Sequence, residues 1–466
     1  MQVYHQQVYQ RRVYHQQVSY QQSVIIFSFI HTLVMHKPLT LKTMKYKKLK
    51  TTIVLGCLLT LGACSSSNND VDITDNTNAT DGNDSTDGTD TAGVTTYGYT
   101  FTRSPDDQSG EIVRISLTDG NTIDATYPGT LSDFTLATDG EALYQIGRFQ
   151  VDTLTRLDAL DTSLVEFDVS LIGEGDMSTN AQSMVFLSDD IAYLTQRRSD
   201  SLLIIDPTPE DPTAESVISG EISLAAYNRS INDATDLPDM TNAVLVDNKL
   251  FVLLENLDGF NPVNSGYIAV IDTTTNEEID TGMGISPLQG IQLNTVNPTA
   301  MHYNAETDRI YVTGRGNAFH TFNDVPGDPY TGGIESINPE TFETRLLVDD
   351  GTSDENQGFF TDALVVNDTL GYVLTLDGFN EDNSAINSLR TFNPMTGEIS
   401  EPVAGTEEFS ITTLTLAPDN HLWAGFQADM PGFLRIDTTT GIVAGERVIT
   451  NLIPSNDFVF IDVENQ

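Results

Sequence analysis

The sequence predicts an all-β chain folded as a seven-bladed β-propeller of four-stranded antiparallel blades, and three observations carry that prediction. Short runs with strand-type patterning, bounded by Asp, Asn, Gly and Pro, fill residues 96–466, and a helical period almost nowhere persists beyond ten residues. One class of strand, always entering a tight turn, occurs seven times. A hairpin that precedes it occurs six times, with half of a seventh left at each end of the region.

The seven strands are IVRISL from Ile112, LTRLDA from Leu154, LLIID from Leu202, YIAVID from Tyr267, GIESIN from Gly333, LRTFN from Leu389 and FLRID from Phe433. Their turns are rich in Asp, Asn, Thr, Pro and Gly, which suits them because an Asp or Asn side chain bonds its local backbone. The six hairpins turn at Asp139, Asp189, Asp247, Asp308, Asp368 and Asp419. For the seventh, the segment from Pro454 to Val463 reads as the first strand and the run around Tyr97 as the second. Pairing the C-terminal strand into the first blade would close the ring, and a repeat of this length fits a propeller better than a sandwich.

With strands ending in Ile-Asp-Thr-Thr at Ile271 to Thr274 and Ile436 to Thr439, the repeat resembles the YVTN-type propellers of bacterial surface proteins across residues 96–466. The resemblance implies the fold. It leaves binding proteins, lactonases and quinone enzymes open as functions.

The first ninety-five residues divide into three. Residues 1–43 are of low complexity and are expected to be an upstream extension that is not used as a start. Residues 44–63 form a secretory signal: four lysines follow Met44, an apolar core runs from Ile53 to Leu61, and small residues follow. Leu61-Gly62-Ala63-Cys64 resembles the bacterial lipobox, which implies that Cys64 is acylated and becomes the first residue of an outer-membrane lipoprotein, on its periplasmic or cell-surface side. Residues 64–95, almost all Ser, Thr, Asn, Asp and Gly, have too little apolar surface to offset chain entropy and read as an acidic tether.

Charge narrows the partners. After Cys64 there are 67 acidic against 14 basic residues, a formal charge of −53, and Lys249 is the one lysine. Such a field repels phosphate backbones and anionic headgroups, so neither nucleic acid nor direct membrane-surface binding is expected. Both cysteines, Cys57 and Cys64, precede the repeats, which leaves no disulfide, cysteine metal site or thiol nucleophile within them. The domain is expected to be monomeric.

Candidate site residues gather on one rim. The connections between second and third strands are long in blades 4, 5 and 6, at residues 255–266, 314–332 and 376–387, and loops on a rigid scaffold are where binding residues usually lie. They offer Asp258, Phe260, Asn261, Arg315, Phe319, Tyr330, Asp377 and Phe379 as ligand contacts. Leu-Asp-Gly-Phe-Asn occurs at Leu257 to Asn261 and again at Leu376 to Asn380, either as a shared turn or, with Asp382, as hard oxygen ligands for Ca²⁺. Asp133, Asn242, Asp362 and Asp457 stand at or near the starts of innermost strands, where they would cap backbone amides or ring a cation. Arg148, Arg197, Arg198 and Arg315 follow second strands and read as salt-bridge partners or as bidentate anion contacts.

No nucleophile elbow, HExxH pair, phosphate loop or haem-type cysteine pair occurs, and His302, His320 and His421 form no ligand-spaced pair. The expected function is therefore a lipid-anchored envelope binding or scaffold protein presenting its loop-rich face to a glycan, a protein or another envelope ligand. The alternative is a lactonase-like hydrolase or lyase acting on a small ester or sugar, for which Glu255, His320 and Arg315 are the acid–base and orienting candidates. Convergence of those three on one site would favour the enzyme.

Overall fold

The computed structural model describes residues 93–464 apart from 119–120, 130, 230–236, 259–261, 263, 319–327, 353, 381–384 and 456–457. Cys64 with its signal and the tether up to residue 92, and Phe260, Asn261, Phe319, His320, Asp382 and Asp457, lie outside the described residues.

Among the described residues the chain forms seven antiparallel sheets in a ring, nearly all β. Blade 2 is Phe134–Thr138, Ala142–Gly147, Thr153–Asp158 and Val165–Ser170, from the innermost strand outward, and blade 3 is Ala181–Ser188, Ile191–Gln196, Ser201–Ile205 and Ile218–Ser223. Blade 4 has Met240–Val246, Lys249–Leu254 and Ser265–Asp272, with an outer edge split into Glu277–Glu278 and Ile291–Val296. Blade 5 is Pro298–Asn304, Arg309–Gly314, Gly333–Ile337 and Thr344–Asp349; blade 6 is Phe359–Asn367, Leu370–Phe379, Ala385–Phe392 and Ile399–Pro402. Blade 7 has Ser410–Leu416, His421–Gln427 and Gly432–Asp437, edged by Ile442–Val443 and Val448–Ile449.

Blade 1 is made from both ends of the fold, as the sequence predicts. Its innermost strand is Val459–Glu464, which pairs with Val94–Arg103 from Val94↔Glu464 to Tyr99↔Val459. Gly110–Ser116 and Thr122–Pro128 follow it outward, and the short Ile453–Pro454 pairs the far end of Val94–Arg103 at Thr102 and Arg103. The first strand begins at Val94, two residues before the strand-rich region read from the sequence.

The core sits between the blades. Each of seven apolar clusters joins one neighbouring pair, and the second strands supply both sides at once. In Lys249–Leu254, Leu250, Val252 and Leu254 pack toward blade 3, whereas Phe251 and Leu253 pack toward blade 5. A strand buried on both faces reads as a continuous apolar run, which is why LFVLL lacks the alternation of a half-exposed strand. Each such side chain contributes about 1.5–3 kcal/mol on burial. The blade 7–blade 1 seam is aromatic: Trp423, Phe433 and Phe458 meet there with ring centroids 4.6–5.9 Å apart.

Of the two Leu-Asp-Gly-Phe-Asn segments, the blade 6 copy is described throughout and the blade 4 copy only at Leu257 and Asp258. In blade 6 it continues the second strand, with Gly378↔Ile386 and Phe379↔Ala385 extending the ladder to the third. In blade 4 the second strand stops at Leu254, so Leu257 and Asp258 lie beyond it. The described part of the blade 6 insertion lengthens the pairing of its second and third strands.

Candidate functional site

In this topology the second-to-third connections and the entrances to the innermost strands share one end of the blades. Backbone pairing defines equivalent positions there. The N–H of the residue after the second strand donates to the carbonyl of the residue before the innermost strand in four consecutive blades: Arg148 to Asp133 (2.9 Å), Arg197 to Asn180 (3.0 Å), Glu255 to Asp239 (3.0 Å) and Arg315 to Asn297 (2.9 Å). Asn180, Asp239 and Asn297 all have positive φ, which Asn and Asp tolerate better than other side-chain-bearing residues. Blades 2 to 5 therefore present Arg, Arg, Glu and Arg at one repeated position.

Glu255 is the centre of this set. Its carboxylate is buried and accepts from Arg197 Nη2 at 2.5 Å, across the seam between blades 3 and 4. Burial pushes the carboxyl up to about 7 against the pull of Arg197; Asp239 adds to the rise, and Arg315 from blade 5 opposes it. Asp239 is likewise raised by burial, to about 6, although it faces Arg197 and Arg229. Arg229 Nη1 lies 3.6 Å from Asp239 Oδ2, and the Leu257 N–H donates to the same oxygen at 3.1 Å. Burial also works against the charge on Arg315, which interacts with Glu255 and with Asp362 of blade 6.

The chain beyond Arg315 is held by its glycines. Gly316 has φ +62°, and a Cβ there would stand 2.6 Å from the Gly332 nitrogen. This close approach brings Pro329–Gly332 against the Arg315 segment, with Asn317 N–H donating to Pro329 O at 3.1 Å. Tyr330 then stacks on Phe359 of blade 6, with centroids 5.0 Å apart and planes within 6°. Asp350 lies behind them: it accepts from Gly332 N–H at 3.0 Å, its Oδ1 is buried without a hydrogen-bonding partner among the described residues, and burial pushes it up to about 7.

Other candidates scatter. Asp258 is exposed. Asp377 is exposed and accepts from Ser388 Oγ and Thr375 Oγ1, and Phe379 is partly exposed at the strand end. The register corrects the grouping of Asp133 with Asn242, since the blade 4 equivalent of Asp133 is Asp239 and Asn242 lies inside its strand opposite Leu253. Asp133 is bonded to Arg148 at 3.2 Å. Among the described residues no three His, Cys, Asp or Glu gather as a metal cage. Arg198 lies over the Phe149 ring, 5.3 Å from its centroid.

His302 is a structural link, its Nε2 accepting from Val365 N–H at 3.0 Å while burial pushes the imidazole down to about 4. His421 sits on the hairpin at the opposite end, 3.2 Å from Asp419. Of the proposed acid–base set, Glu255 and Arg315 come together, and Arg197 and Asp239 join them.

No protein-family model matches the chain, and no curated protein sequence matches it. Solved structures resemble it over most of its length. A protein from Lactobacillus plantarum is 11% identical with a TM-score of 0.52, covering 79% of this chain and 100% of that one. A candidate 6-phosphogluconolactonase from Bacteroides fragilis is 10% identical with a TM-score of 0.50, covering 80% and 99%. BamB from Moraxella catarrhalis is 15% identical with a TM-score of 0.41, covering 69% and 80%. The likeness is one of fold. At such identities it transfers no residue role, so the chemistry of the Arg197–Glu255–Arg315 set has to be argued from the set itself.

Proposed function

We propose that this protein is a lipid-anchored envelope protein that binds a ligand at the blade 3 to blade 5 end of its propeller. One observation carries the reading: three blades converge a partly exposed guanidinium, a buried carboxyl and a second, recessed guanidinium on one spot. A surface needed only for solubility has no reason to bury charge in this way. Cys64 and the acidic tether would hold the domain away from the membrane. A thermal-shift screen of the purified protein against glycans, small anions and Ca²⁺ tests the reading. A ligand that raises the melting temperature of the wild type and not of Arg197→Ala supports it; shifts unaffected by that substitution place binding elsewhere.

Glu255 also favours a second reading, a hydrolase or lyase of small esters or lactones. A carboxyl held near 7 between arginines suits proton transfer at neutral pH, with the guanidiniums stabilising developing negative charge. Turnover of a lactone panel that is lost in Glu255→Gln would select this reading over simple binding.

A further inference from the structure

Resting on the binding reading above, we propose that the Arg197–Glu255–Arg315 set is a site for a small monocarboxylate, whose binding to Arg197 is accompanied by uptake of one proton at Glu255. The argument starts from the geometry of the pair. Arg197 reaches Glu255 from the neighbouring blade through one nitrogen, Nη2, and its side chain remains about a third exposed. Its Nε and Nη1 donate to none of the described residues, so the guanidinium keeps donors for an incoming anion. Arg carries its donors in a rigid fork that matches a planar carboxylate. Backbone bonds pin the main chain of Arg197, Glu255 and Arg315 in equivalent positions, and the bond to Glu255 orients the guanidinium.

Charge balance then selects the ligand. Glu255 is faced by Arg197 from blade 3, by Asp239 at the start of blade 4 and by Arg315 from blade 5. Asp239 is in turn faced by Arg229, and Arg315 by Asp362. With both ionised, Arg197 and Glu255 match one another, and a further anion at Arg197 would be repelled by Glu255 and by the neighbouring Asp239. When Glu255 takes a proton from solvent, one positive charge is uncovered and one monoanion restores the balance. The protonated carboxyl can also donate a hydrogen bond to the ligand oxygen. A dianion such as sulfate would leave an excess negative charge beside Asp239, inside a protein whose chain after Cys64 already carries −53.

The test is calorimetric titration of the full chain with glucuronate and acetate at pH 6, 7 and 8.5, with glucose and sulfate as probes of the neutral and dianionic alternatives. The expected result is carboxylate binding with net uptake of up to one proton and an affinity that approaches a tenfold fall for each pH unit above about 7. Sulfate and glucose bind at least tenfold more weakly. Arg197→Ala loses the carboxylate at every pH. Glu255→Gln keeps it with an affinity independent of pH, and a cooperative urea transition in Arg197→Ala shows that its loss of binding is not unfolding. Glucose or sulfate binding without carboxylate binding would overturn the ligand class and leave the binding reading standing. Carboxylate binding with the same pH slope in wild type and Glu255→Gln would overturn the proton coupling. No binding of any probe, with both variants folded, would overturn the carboxylate site and count against the binding reading as well.

Discussion

Ring closure by the C-terminal strand can be tested by removing residues 456–466. That deletion strips blade 1 of Val459–Glu464, which pairs with Val94–Arg103 over six residues. Ile461 is only 2% exposed, and Val459, Phe460 and Val463 pack half-buried against the clusters on either side. The deletion also leaves Phe458 out of the aromatic seam. At about 1.5–3 kcal/mol for each fully buried side chain and roughly half that for the others, the loss is about 5–10 kcal/mol. A domain has about 5–15 kcal/mol of net stability, so the deletion should consume most or all of it and expose a long unpaired strand. Urea unfolding followed by tryptophan fluorescence reads this directly, because Trp423 lies in the affected seam. The truncated protein should show no cooperative transition, and a synthetic peptide of residues 456–466 added in trans should restore one. Ile461→Ala, a milder change, should cost about 2–5 kcal/mol with an unchanged m value. Ile442→Ala, at a side chain 64% exposed, should cost under about 0.5 kcal/mol. A truncated protein with the wild-type midpoint would refute the reasoning.

Three further outcomes are expected. Trp423→Ala removes a side chain 1% exposed that meets Phe433 and Phe458 edge-on, and should cost about 3–5 kcal/mol by urea unfolding; a cost below 1 kcal/mol would mean the seam is not packed as described. Glu255, Asp239 and Asp350 have folded-state values raised above the ordinary carboxylate range, so the folded protein holds extra protons and its stability should fall as pH rises from about 4 to about 7. A carboxyl moved from about 4 to about 7 changes stability by about 4 kcal/mol across that window, so Asp350→Asn should visibly flatten the dependence; identical pH slopes in variant and wild type would exclude Asp350 as a source. Cys64→Ala should abolish incorporation of labelled fatty acid, and a variant that still labels would end the lipoprotein assignment.

The strand pattern was legible because its causes are local. Asp247 and Asp308 stand at hairpin turns with positive φ, and the apolar run LFVLL is visible without knowing which blades flank it. The split first blade was legible too, since an unpaired half-hairpin at each end can pair only with the other. The candidate site was half legible. Glu255, Arg315 and Arg197 each stand directly after a second strand, but Asp239 and Asp350 carried no motif. A usable signal did exist: an Asp or Asn before the innermost strand and a charged residue 15 to 18 positions later recur in blades 2 to 5, as Asp133–Arg148, Asn180–Arg197, Asp239–Glu255 and Asn297–Arg315. Aligning blades by that pair separates Asp239 from Asn242, which proximity to an apolar run does not.

By itself, then, the sequence determined the number of blades, their strand order and the way the ring closes, since turn chemistry and side-chain alternation act over a few residues. Only the tertiary structure decided which charges meet. Arg197 and Glu255 are 58 residues apart and belong to different blades, and it is the ring that sets their equivalent positions side by side. Burial, which moves Glu255 to about 7, is a property of everything packed around a residue and leaves no trace in the letters beside it.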